Sequence, residues 1–168
     1  MRRPTMTYFG IAGYLPLIVA IILSSFMLLP IGTGASTIPM PHFALMCVFY
    51  WSCSRPLLMP YGATAIIGLT LDLWLEVPLG LNVLILVLAR LFVMNQIKYF
   101  KGKTLLVYMG VFSVMSSGLF ALMWVITSLI KGQFMPLEPM FYQLLLTLLF
   151  YPVVGFALGR VRRSFLSQ

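Results

Sequence analysis

Long apolar runs, separated by short stretches rich in proline, glycine and charge, divide the chain into six segments. They are Ile11 to Leu29, His42 to Ser54, Tyr61 to Leu75, Leu79 to Gln96, Thr104 to Ile130 and Met140 to Gly159. A bilayer's hydrocarbon core is about 30 Å thick and a spanning helix needs about 20 mostly apolar residues, so the pattern predicts an all-α bundle of about six transmembrane helices. The second segment is short for a span unless its helix begins near Ile38. Four spans plus a re-entrant hairpin of the second and third segments is the alternative, and it would bury Arg55. Pro30, Pro39, Pro41, Pro56, Pro60, Pro78, Pro136 and Pro139 fall between segments, where a missing N–H costs little. Pro152 lies inside the last one and predicts a kink.

Composition sharpens this to a single polytopic membrane domain over residues 1–168. The chain is 61% hydrophobic and 8% charged, with a mean hydropathy of +1.04, outside the balance of a water-soluble domain. Its net charge of +8 arises from 11 Lys and Arg against 3 Asp and Glu. Arg2, Arg3, Arg55, Lys98, Lys101, Lys103, Arg160, Arg162 and Arg163 sit at the edges of apolar runs, which points to topology and anionic lipid headgroups and away from nucleic acid. With six spans and a cytoplasmic N-terminus, these residues all fall inside, while Lys131, Glu138 and Glu76 fall outside. The positive-inside rule therefore predicts an inner-membrane protein with both termini in the cytoplasm, and the resemblance given below makes that membrane a bacterial one. Met1 to Pro30 resembles a signal peptide, with Thr33 and Ala35 near a cleavage position. Its apolar run is longer than a cleavable signal's, so an uncleaved first span is expected. Tyr8 and Phe9, Tyr50 and Trp51, Tyr99 and Phe100, and Phe141 and Tyr142 read as an interfacial aromatic belt.

Few residues offer chemistry. Cys47 and Cys53, six apart, match no metal spacing and are expected to be inert buried thiols. His42 is the only histidine, so a histidine-based metal site or triad has no second imidazole, and no cofactor motif is present. It is expected to be a polar residue at a helix start. The informative block runs Gly68-Leu-Thr-Leu-Asp72-Leu-Trp-Leu-Glu76-Val-Pro78-Leu-Gly80-Leu-Asn82. Asp72 and Glu76, one helical turn apart, are expected on one face. A carboxylate at membrane depth costs about 2.5 to 3.5 kcal/mol on insertion scales, so Asp72 should face protein, water or a cation. Two partners are open: Arg90, the only basic residue well inside a span, roughly 9 Å deeper by helical rise, or Asn82 and backbone groups across the Pro78 turn. Gly155 and Gly159, and the Ser113, Ser117, Ala121 stripe, are expected to pack helices closely, inside the monomer or in a seam with a partner.

The run Gly-Leu-x-Leu-Asp ending at Asp72, the Pro-Leu-Gly-x-Asn from Pro78 to Asn82, and the upstream aromatic stretch ending in Arg55-Pro56 resemble the rod shape-determining protein MreD family. The resemblance implies a non-enzymatic scaffold of the bacterial cell-wall elongation complex. It also implies the partners: MreC, a RodA-type glycosyltransferase, a class B penicillin-binding transpeptidase and the MreB filament. By the same resemblance the fold would be similar to the six-helix substrate-binding subunits of energy-coupling-factor transporters. Asp72, Pro78, Gly80 and Asn82 match the family pattern as a turn or a partner contact. A substrate-binding subunit of a small-molecule transporter is the alternative reading, and an intramembrane enzyme using Asp72 and Glu76 the third.

Overall fold

The computed structural model describes residues 13–28, 39–100 and 104–166. Arg2, Arg3, Tyr8, Phe9, Ile11, Leu29, Pro30, Thr33, Ala35, Ile38, Lys101 and Lys103 lie outside the described residues, and so do the expectations placed on them. The described residues are helical, with no strand. Six α-helices follow one another: α1 (Leu15–Ser25), α2 (Phe43–Ser54), α3 (Tyr61–Trp74), α4 (Leu81–Phe100), α5 (Leu105–Lys131) and α6 (Leu137–Leu166). Short 3-10 turns follow α1 at Phe26–Leu28 and α2 at Pro56–Leu58. The last helix extends past both expected limits and takes Pro139 into its first turn, where the absent N–H is not needed. It continues through Pro152.

Helix ends follow local chemistry. Pro60 and Thr104 hold extended backbone before α3 and α5, and Gly132 closes α5 in the left-handed region at φ 64°. Three stretches, Leu81–Tyr99, Leu106–Lys131 and Leu137–Ser164, are long and apolar enough to cross a membrane.

Side-chain contacts give the helix directions. His42 meets Asn82 while Ser52 meets Arg90, so α2 and α4 run the same way. His42 meets Thr147 and Tyr50 approaches Gly159, so α6 runs with them. Tyr61 lies against Arg90 and Asp72 against Asn82, which sets α3 antiparallel to α4. Phe120 packs on His42 and Phe112 on Phe49, which sets α5 antiparallel to α2. The bundle therefore alternates in direction. One end carries His42 and the α3–α4 turn, and the other carries Arg90 and the α2–α3 turn.

At the centre is α2. Its sequence FALMCVFYWSCS is apolar on every face, which is the pattern of an interior helix. Ala44 through Phe49, Trp51 and Ser52 are all buried. Phe49, Phe112 and Tyr151 interlock there, with Phe112 and Tyr151 stacked at 4.2 Å and Phe49 edge-on to Phe112 at 5.1 Å. Trp51 is therefore core, and its expected place in an interfacial belt is wrong; Tyr99, Phe141 and Tyr142 are exposed. Cys47 is buried and Cys53 half-buried, and both are free thiols.

The expected small-residue seams are not what brings these helices together. Gly155 has open space beyond it, and Gly159 meets only the Tyr50 hydroxyl at ordinary contact distance. Ser113 is half-buried, and Ser117 and Ala121 are exposed; both serine hydroxyls donate back to their own helix, to the Met109 and Ser113 carbonyls. The close approach is instead at Gly68, where an added Cβ would sit 2.5 Å from the Val83 Cα and 2.7 Å from its nitrogen. The backbones of α3 and α4 touch there, one turn before Asp72.

Candidate functional site

Gly68 and Asp72 lie four residues apart and so share one face of α3. The approach at Gly68 brings the Asp72 carboxylate to the start of α4. Gly80, at φ 97°, turns the chain and offers its carbonyl to the Leu84 N–H, which makes it the N-cap of α4. The first N–H groups of a helix have no partner within it. Asp72 supplies one from α3: Oδ2 accepts from the Gly80 N–H at 2.8 Å, and Oδ1 accepts from the Asn82 N–H at 2.8 Å and the Asn82 side-chain amide at 3.0 Å. The positive end of the α4 dipole and three N–H donors thus stabilise a carboxylate only 1% exposed.

The network continues inward. Asn82, with its amide nitrogen on Asp72, points Oδ1 at His42 Nε2, 3.3 Å away. His42 Nδ1 accepts the Leu45 N–H and caps α2, so Nε2 carries the proton that Asn82 receives. The His42 backbone N–H donates to Thr147 Oγ1 at 2.9 Å, and Thr147 in turn donates to the Gln143 carbonyl. Gln143 also donates its amide to the Met40 carbonyl at 3.1 Å. Asp72, Asn82, His42 and Thr147 are all buried, and together they tie α2, α3, α4 and α6 into one polar clasp.

Several expectations change. Asp72 and Glu76 do not share a face: α3 ends at Trp74, and Glu76 swings into the left-handed region at φ 51°, exposed to the outside of the turn. The helix stops before the spacing takes effect, so a two-carboxylate acid–base pair does not form. Asp72 and Arg90 do not pair either. Of the two partners left open for Asp72, Asn82 and the turn backbone are the ones it meets. Arg90 lies toward the other end of the bundle, where Nη1 donates to Ser52 Oγ at 3.2 Å and Nη2 to the Pro56 carbonyl at 3.0 Å. Its guanidinium also rests 4.8 Å from the centre of the Tyr61 ring. Arg55 and Gly80 are exposed on their turns, and Pro78 is half-buried, its carbonyl accepting the Leu81 N–H.

His42, Thr147 and Gln143 are the clasp members that chain-local spacing does not reveal. His42 stands 40 residues from Asn82, and Thr147 stands 105 residues from His42. The one signal available for His42 is its place just before an apolar helix, the N-cap position. No group of three or more His, Cys, Asp or Glu that could hold a metal ion exists among the described residues. No family model matches the chain, and neither a curated protein nor a solved structure is similar to it.

Proposed function

We propose that this chain is a six-span scaffold of the bacterial inner membrane that organises the cell-wall elongation complex, with both termini in the cytoplasm and no chemistry of its own. The observation that carries this reading is the state of the Gly68 to Asn82 block. Every polar contact of the Asp72 carboxylate is internal, to Gly80 and Asn82, so the block that resembles the MreD family acts to hold a turn rigid. A rigid, self-satisfied turn at one end of a bundle suits a part that others assemble on.

The partners under this reading are MreC, a RodA-type glycosyltransferase, a class B penicillin-binding transpeptidase and MreB. Three helices of spanning length support insertion in a membrane, and the alternating directions of α2 to α6 suit successive crossings; that the shorter α1, α2 and α3 also cross is part of the proposal. The test is mass spectrometry of what co-purifies with the tagged chain from its own membranes in mild detergent. Recovery of MreC with the glycosyltransferase and transpeptidase is expected. Recovery of paired ATPases with a coupling subunit would replace the scaffold by a transporter subunit. Labelling of single cysteines placed at residues 2 and 167 from the cytoplasmic side only is expected for the topology.

A further inference from the structure

Arg90 is 4% exposed, and among the described residues no carboxylate pairs with it. The whole sequence contains three acidic residues, Asp72, Glu76 and Glu138. Asp72 is held by Gly80 and Asn82, Glu76 stands on the α3–α4 turn, and Glu138 opens α6. All three belong to the end of the bundle opposite the α2–α3 turn. Arg90 meets a hydroxyl, a carbonyl and an aromatic face, all uncharged. Among the described residues its Nε has no acceptor. A buried cation with a donor unmatched and no carboxylate beside it among the described residues is suited to an anion from outside the chain.

The place for that anion is below the α2–α3 turn. The helices α2 and α3, of 12 and 14 residues, are about 18 Å and 21 Å long by helical rise, short of a bilayer core. Their turn is level with Arg90, and α4 runs on from there to Phe100, roughly 15 Å further. The turn is thus set back from that end of the bundle. Arg55 is exposed on it and Leu57 is 94% exposed, while Met59 on the same turn is buried, so the Arg55–Leu57 side of the turn is the open one.

We propose that this recess binds the phosphate headgroup of one anionic phospholipid, with Arg90 as the buried anchor and Arg55 at the rim. Guanidinium groups match phosphate oxygens in geometry and charge, and basic recesses between helices on the cytoplasmic side are where anionic headgroups bind. The inference rests on the membrane-spanning part of the proposed function and not on its cell-wall partners.

The test is native mass spectrometry of the full chain ejected from nanodiscs of equal phosphatidylglycerol and phosphatidylcholine. Wild type is expected to retain one phosphatidylglycerol. Retention should fall severalfold in Arg55→Gln, whose site on an exposed turn leaves folding intact, and at least tenfold in the Arg55→Gln/Arg90→Gln double variant. The Lys131→Gln variant, which removes an exposed cation at the opposite end of the bundle, should retain lipid as wild type does. Equal retention of both lipids, or unchanged retention in Arg55→Gln, overturns the proposal. Displacement of the lipid by excess inorganic phosphate would assign the recess to a soluble anion instead. A chain that does not enter nanodiscs at all would fail the membrane reading, whereas one that enters without retaining lipid fails this inference alone.

Discussion

Asn82 gives both of its N–H groups to a single oxygen of Asp72, the backbone one at 2.8 Å and the side-chain one at 3.0 Å, so a carboxylate on α3 serves as the cap of α4. This makes the two acceptor oxygens of Asp72 the structural element. In Asp72→Asn, whichever way the amide turns, its nitrogen faces an N–H donor. Hydrogen bonds to charged groups contribute about 1.5 to 3 kcal/mol each, so Asp72→Asn is expected to lose at least that much. Thermal unfolding in detergent should show Asp72→Asn nearly as damaged as Asp72→Ala. An Asp72→Asn protein as stable as wild type would remove the cap from the account.

Gly68 governs how close α3 and α4 lie. Gly68→Ala places a methyl group against the Val83 backbone, which cannot rotate away, and overpacking of this kind costs about 1 to 3 kcal/mol. Gly118→Ala, in open space on α5, should instead gain roughly 0.5 to 1 kcal/mol from helix propensity. Opposite signs of the two shifts in the unfolding midpoint are the expected result.

Glu76 occupies a left-handed conformation that glycine adopts freely and other L-residues adopt at a cost of roughly 1 to 2 kcal/mol. Glu76→Gly is therefore expected to raise stability slightly, and Gly80→Ala, at φ 97°, to lower it. If Glu76→Gly is more stable in detergent yet recovers fewer partners from membranes, the exposed carboxylate belongs to the binding surface. Unchanged recovery would assign Glu76 to the turn alone.

Thr147 accepts a buried backbone N–H across the bundle. Thr147→Val keeps the shape and leaves that donor unmatched, at a cost of about 1 to 3 kcal/mol. Thr147→Ser, which keeps the hydroxyl, should restore most of the loss. His42→Asn, retaining the N-cap acceptor, should likewise outlast His42→Ala by about 1 kcal/mol in the same assay.

What the sequence made legible was local. Six apolar segments separated by prolines translate into six helices because each is set by its own composition. The Asp72 to Asn82 turn is readable because a carboxylate, a proline, a glycine and an asparagine fall within one short span. The partners of Arg90 were not, since a serine hydroxyl and the Pro56 carbonyl carry no signature of their role. Nor was the close approach at Gly68 distinguishable from the Gly155 and Gly159 pair, which has the more familiar spacing. Which glycine meets a neighbouring backbone depends on how the helices are rotated, and spacing along one helix does not contain that. The end of α3 escaped for another reason. Continued helix from Asp72 to Glu76 was a fair extrapolation of periodicity, and the left-handed turn at Glu76 breaks it without glycine or asparagine to announce it.

The interior position of α2 has a consequence for biosynthesis. This helix is buried on nearly every side, yet the groups that receive the backbone N–H and the ring of its cap, His42, belong to chain made later: Asn82 follows 40 residues on, and Thr147 105 residues on. During translation α2 therefore waits without most of its neighbours, held only by α1 and then α3. The molecule closes when α6 arrives, so a chain halted before Thr147 is expected to be cleared by membrane proteases, although most of its helices have been inserted.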